Sequence, residues 1–229
     1  METGHNAEIS GNRVNVRHNY DKMSRFYDYF AGIFEENCIS KGLEKLHLRE
    51  GEKVLDIGFG TGIGLEKIAQ NVGKSGKASG IDISQGMMDE AKKRLIKSGL
   101  DDHVELQLGD AAALPWKEDE FDAVFMSFTL ELFETSEIPL VLKEVKRVIK
   151  YGGRVAIVSL SKDYGQTIPM SVYEWLHKKF PVYLDCRPIN VEKSITDAGL
   201  EICHLEQHRL FGLPVAICVG EKTAAGIKI

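Results

Sequence analysis

The residues with the clearest chemical potential lie in the run Asp56-Ile57-Gly58-Phe59-Gly60-Thr61-Gly62. A short apolar stretch, 53–57, leads into these alternating glycines, and a helical pattern, 63–72, leads out. Glycine lets the backbone turn sharply and come close to a ligand, while the N–H groups of the helix start stay exposed. In an open α/β sheet such a turn lies at the carboxyl ends of the strands, where ligands bind. A phosphate-binding loop needs Gly-x-x-x-x-Gly-Lys-[Ser/Thr], and the segment holds no Gly-Lys-[Ser/Thr]. The dinucleotide fingerprint Gly-x-Gly-x-x-Gly fails in both registers, because its third glycine falls on Ile63 or Leu65. Asp56 argues the same way, since a carboxylate beside the turn repels a pyrophosphate and attracts a cation.

The elements that must position this loop follow from periodicity. Strands are expected over 53–57, 78–83, 104–108, 122–127 and 154–160. Between them run helices over 63–72, from an N-cap at Ser84 to Ser98, and over 139–150. In the second of these Met87, Ala91 and Leu95 share a face; in the third Leu142, Val145 and Ile149 point inward, and Gly152-Gly153 ends it. The fourth strand is apolar enough for burial on both faces. Past 160 the rhythm breaks into an insertion, 161–189, with an aromatic helix over 172–180. A helix over 191–198 stops at Gly199, and strands near 201–210 and 214–221 close the chain. Such alternation implies an α/β, Rossmann-like fold: a mostly parallel seven-stranded sheet with helices on both faces, in a single domain spanning 1–229. Residues 1–16 read as a flexible tail. From 19 to 48 the pattern is helical, with Tyr20, Met23, Phe26, Tyr27, Phe30 and Phe34 on one face, as expected of a lid.

The glycine run is one of five motifs in order. Gly80-Ile81-Asp82-Ile83-Ser84 closes the second strand, and Gly109-Asp110-Ala111 precedes Leu114-Pro115-Trp116. The fourth strand reads Phe121-Asp122-Ala123-Val124-Phe125-Met126-Ser127, and Ile149 to Val155 turns into the fifth. Together they resemble the class I S-adenosylmethionine (SAM)-dependent methyltransferases over roughly residues 20–160. The resemblance implies a SAM cofactor, leaving S-adenosylhomocysteine (SAH) as product. It implies that Gly58, Gly60 and Gly62 cradle the cofactor and that Asp56 attracts its cationic amino end. Asp82 would hold the two ribose hydroxyls, Asp110 and Ala111 the adenine side, with Ile83, Met87 and Ser127 completing the site.

The entry Asn19-Tyr20-Asp21-Lys22-Met23-Ser24-Arg25-Phe26-Tyr27-Asp28 resembles that of a branch including the ubiquinone and menaquinone biosynthesis C-methyltransferases. There the helix covers SAM, which would bring Tyr20 and Tyr27 onto the cofactor or leave them packing the helix. Two departures stand against that branch. Ser127-Phe128-Thr129-Leu130-Glu131 replaces a Gly-x-Arg-Asn stretch, and Tyr151 stands where proline is usual.

Methyl transfer from a sulfonium is an in-line displacement, so alignment does most of the work and a base is needed only if the acceptor must lose a proton. Catalytic candidates are Glu131, just past the fourth strand, and His177, in the insertion; each also reads as an exposed helix residue. His18 and Cys186 carry weaker cases. The formal net charge of -5 argues against a sequence-independent nucleic-acid binder, and the double-proline motif of nucleic-acid amino-methyltransferases is missing after the fourth strand. A small-molecule acceptor, lipid-like or quinone-like, is expected. A SAM-binding accessory protein without its own acceptor is the alternative. Cys38, Cys186, Cys203 and Cys218 are scattered with no Cys-x-x-Cys pair, so no metal site and a reducing compartment are expected. With no secretory signal and no apolar run near the ~20 residues of a spanning helix, the expectation is a cytoplasmic monomer or homodimer.

Overall fold

The computed structural model describes residues 32–162, 188–210 and 213–224. Seven strands form one sheet in the order β3-β2-β1-β4-β5-β7-β6. They are β1 (Lys53–Ile57), β2 (Lys77–Asp82), β3 (Val104–Leu108), β4 (Phe121–Ser127), β5 (Ile149–Leu160), β6 (Glu201–Leu210) and β7 (Leu213–Glu221). Strands β1 to β5 pair in parallel, and β7 runs antiparallel between β5 and β6. The sheet is therefore mixed: six strands share a direction, and one is reversed by the closing hairpin. Strand order reverses between β1 and β4, which opens a crevice at their carboxyl ends.

The helices are α1 (Gly32–Leu46), α2 (Ile63–Val72), α3 (Gln85–Ser98), α4 (Ile138–Val148) and α5 (Val191–Asp197). Residues alternate across each strand, so each face of the sheet grows its own core. Leu55, Ile57, Val124 and Met126 meet Val141, Leu142 and Val145 of α4 on one face. Val54, Phe125 and Val158 meet Ile39, Leu43 and Leu46 of α1, and Leu65 and Ile68 of α2, on the other. Asp56 shares the second face with Val54, two residues away.

The helical pattern read over 19–48 is seen from Gly32 to Leu46. This stretch is core: a Cβ at Gly42 would lie 2.5 Å from Val158, so the helix lies close against the sheet. Arg154 of β5 fastens its end, donating to the Leu46 and His47 carbonyls and pairing with Glu52 at 2.9 Å. The tail and the lid segment before residue 32, with Tyr20, Tyr27 and His18, lie outside the described residues. So does most of the insertion, with His177 and Cys186.

Most boundaries fall within a residue of the sequence reading, and the largest shift between described elements is at the join of α4 and β5. Helix α4 ends at Val148, not at Gly152-Gly153, and Ile149 is already extended and paired with Phe121. The last carbonyls of α4 are taken by Asp119 and Glu120 from the incoming strand, which leaves nothing for a further turn. Gly152, at φ +74°, and Gly153 lie inside β5, where they exchange hydrogen bonds with Lys222 past the end of β7. A glycine irregularity in a strand had the look of a helix stop.

Candidate cofactor and active site

The glycine loop leaves β1 with left-handed backbone at Gly58, Gly60 and Gly62 (φ +70°, +54° and +83°). Each has its own neighbourhood. A Cβ at Gly58 would collide with the Thr129 side chain, and one at Gly62 would press on Ala91 of α3 at 3.0 Å. A Cβ at Gly60 would meet nothing within 4 Å, so this is the point at which the backbone faces open space. Arg94 of α3 donates to the Thr61 carbonyl at 2.9 Å and holds the far side of the loop.

Three acids stand at or near the carboxyl ends of the first three strands. Asp82, at the end of β2, accepts the Gly60 N–H on Oδ2 and the Ser84 N–H on Oδ1, both at 2.9 Å. Both oxygens of this acceptor-only carboxylate are thus oriented by main-chain N–H groups, one from the glycine loop and one from the turn after β2. Asp56, in β1, is 2% exposed, and its Oδ1 has no hydrogen-bond partner. Burial, then the charge of Asp82, pushes its carboxyl up to about 8. A buried acceptor without a partner is costly, and a cationic donor would remove the penalty. Asp110 follows β3; its Oδ1 accepts the Ala112 N–H, and the preceding Gly109 donates to the Asp82 carbonyl. Ala111 and Met87 are buried, Ile83 and Ser127 half-buried. The Ser84 hydroxyl caps α3 by accepting the Met87 N–H at 3.2 Å.

The segment after β4 closes the crevice from the other side. Phe128 adopts φ +51°, a conformation uncommon for a bulky residue. That turn brings the Thr129 hydroxyl to the Gly58 carbonyl at 3.3 Å and to the Ser127 carbonyl at 2.9 Å. Glu131 is not the exposed acid that its sequence position allowed: it is 1% exposed. Its Oε1 accepts the Leu160 N–H at the end of β5, and its Oε2 has no partner. Burial raises its carboxyl to about 7, against hydrogen bonds from its own backbone, Leu160 and Ser159 that pull the other way. Thr129, Phe128 and Arg94 were not singled out from sequence, because their contacts cross between elements and leave no local spacing to read.

Residues 54–153 match the methyltransferase domain family. The demethylmenaquinone methyltransferase of Lactobacillus johnsonii is 34% identical over 177 residues, 77% of this chain and 70% of that protein. The enzyme of the same name from Symbiobacterium thermophilum is 31% identical over 171 residues, 73% of this chain and 67% of that one.

The chain belongs to the class I SAM-dependent methyltransferases. A SAM-dependent methyltransferase of known structure from Aquifex aeolicus superposes with a TM-score of 0.58 at 27% identity, covering 80% of this chain and 89% of that one. This methyltransferase therefore takes SAM as its cofactor, and the geometry agrees. The buried Asp56 oxygen calls for a cation, Gly60 opens toward space, and Asp82 bonds the main chain of the same loop. Among the described residues, no helix is long and apolar enough to cross a membrane.

Proposed function

We propose that this methyltransferase acts on a small aromatic acceptor of the quinol class. The observation that carries the reading is identity of 31% and 34%, sustained over about three quarters of the chain, to enzymes named for demethylmenaquinone. Bound SAM supplies a methyl group already activated on a sulfonium. The chain then has to bind, align and keep water out, which can be worth roughly 7–11 kcal/mol in favourable cases. In this reading Asp56 holds the amino end and Asp82 the ribose hydroxyls. Asp110 and Ala111 face the adenine, the backbone at Gly58, Gly60 and Gly62 lies along the cofactor, and Ile83, Met87 and Ser127 form the walls. Tyr20 and Tyr27 cover the site from the 19–28 segment, and 161–189 selects the acceptor. Methylation at a ring carbon of a quinol requires loss of a hydroxyl proton and then a ring proton. Glu131, with a carboxyl raised to about 7 at the acceptor end, suits a proton acceptor. Ser127 to Glu131 depart from the quinone enzymes at that end, so the reading names the ring class and no particular quinone.

Methyl-labelled SAM offered with short-chain demethylmenaquinol, simple naphthols and benzoquinols, and with fatty acids as non-aromatic controls, tests the reading. Label is expected in an aromatic acceptor. Label only in the fatty acids, or in none of the panel by a folded enzyme that binds SAH, overturns it.

A further inference from the structure

The loop between β3 and β4 is held by a pair of residues on α4. Glu144 accepts the Leu114 N–H on Oε2 at 3.0 Å. Arg147, one turn on, donates to the Leu114 carbonyl through Nη2 at 3.0 Å and to the Trp116 carbonyl through Nη1 at 2.8 Å. The two side chains also grip each other as a fork: Arg147 Nε on Glu144 Oε1 at 2.8 Å, and Nη2 on Oε2 at 2.6 Å. Each pulls the other toward its charged form, Glu144 down and Arg147 up. An i,i+3 pair on a helix ordinarily contributes a few tenths of a kcal/mol. Here the pair has a second task, because both of its side chains also bond one short stretch of main chain, Leu114 to Trp116.

That stretch begins at Gly109, tied to the Asp82 carbonyl, and passes through Asp110 and Ala111, closed by a turn in which Ala113 donates to the Asp110 carbonyl. It ends at Leu114 and Trp116, whose side chains are buried; the Trp116 ring stands edge-on to Phe121 at 5.4 Å. Apolar burial sets how deep the loop sits. Directional bonds to its carbonyls set where along the crevice it sits. We propose that Glu144 and Arg147 are positioning residues, which hold the 109–116 loop in register against the adenine end of the cofactor. The inference rests on the reading that Asp110 and Ala111 line that end. Lysine cannot replace Arg147 in this task, since one ammonium cannot span two carbonyls and a carboxylate in a fixed plane.

The test is calorimetric titration of Arg147→Lys and Glu144→Gln with SAH and with S-inosylhomocysteine, which differs from SAH only in the base. The wild-type enzyme should favour SAH. Arg147→Lys should weaken SAH about tenfold, the worth of one charge-assisted hydrogen bond, and leave S-inosylhomocysteine nearly unchanged, so that the preference collapses. Glu144→Gln keeps an oxygen for the Leu114 N–H and should show a smaller loss in the same direction; it also serves if Arg147→Lys does not fold. A lower melting temperature with the base preference intact would mean a merely structural brace and overturn the proposal. So would a wild-type enzyme indifferent to the base. Asp110→Ala separates the two levels: unchanged SAH binding there overturns the site reading itself, and this inference with it.

Discussion

Asp56 makes a prediction whose sign and size both come from the structure. Its carboxyl is buried, lacks a partner at Oδ1, faces the charge of Asp82, and is raised to about 8. At neutral pH the free enzyme therefore carries Asp56 largely protonated. An ammonium group in the crevice reverses this, because it stabilises the carboxylate and must displace the proton. Binding of SAH at pH 7 should release about 0.9 proton, the fraction protonated one unit below the free value. The dissociation constant should fall about fifty-fold from pH 6 to pH 8 and level off above that. Calorimetry in buffers of different ionisation enthalpy reads the proton count directly. Asp56→Asn should abolish both the release and the pH dependence and weaken binding at pH 8 at least tenfold, as for a lost charge-assisted hydrogen bond. The same raised value makes the free enzyme less stable as pH climbs from the ordinary carboxylate range, 3.8, toward 8, since only the unfolded chain ionises there. SAH should therefore raise the melting temperature more at pH 8 than at pH 6. A wild-type enzyme that binds SAH with no proton release and a flat profile would refute the reasoning, because the amino end would then not lie on Asp56.

Two further outcomes concern stability. Glu131 is raised from 4.5 to about 7, so its contribution is fully present below 4.5 and is lost as pH rises through 7; Glu131→Gln should remove up to about 3 kcal/mol of that loss at pH 8 and none at pH 4, read as a flatter curve of urea midpoint against pH. Ser79, in β2, buries a hydroxyl with no partner, so Ser79→Ala should be neutral or stabilising by about 1 kcal/mol; a loss of that size with an unchanged urea slope would mean that the hydroxyl is satisfied after all.

What the sequence showed, and what it hid, divides by range of contact. Strands β1 and β3 and helix α2 begin and end where periodicity and glycine punctuation put them, because their limits are local. Ser84 caps α3 as read, for the same reason. Asp56 was singled out because a carboxylate beside a glycine turn attracts a cation, whereas its burial with Oδ1 unpartnered depends on packing across the sheet and was not read. Nor was the burial of Glu131, because it depends on Leu160, 29 positions on, arriving beside it through the β4–β5 pairing. Glu144 and Arg147 look like any exposed helical pair until the loop 30 residues upstream folds beneath them. Tyr20, Tyr27 and His177 lie outside the described residues, so their roles rest on resemblance and position alone.

The strand order explains why the cofactor loop and the segment after β4 act as one piece. β1 and β4 are neighbours, paired from Val54 with Ala123 to Ile57 with Met126, so the chain leaves both at the same level of the crevice. Phe128 then takes a left-handed turn that costs conformational energy, of order 1–3 kcal/mol for a residue of its size. The turn places the Thr129 side chain against Gly58, where it bonds the carbonyl and fills the volume a Cβ would need. Two residues later Glu131 fastens the same segment to the end of β5. Gly58 is thus required by Thr129, whatever the loop binds. The strain at Phe128 is held in place by contacts on both sides, from β1 and from β5. A change at the end of β5 is therefore linked to the glycine loop through the short segment from Thr129 to Glu131, hydrogen-bonded at both ends.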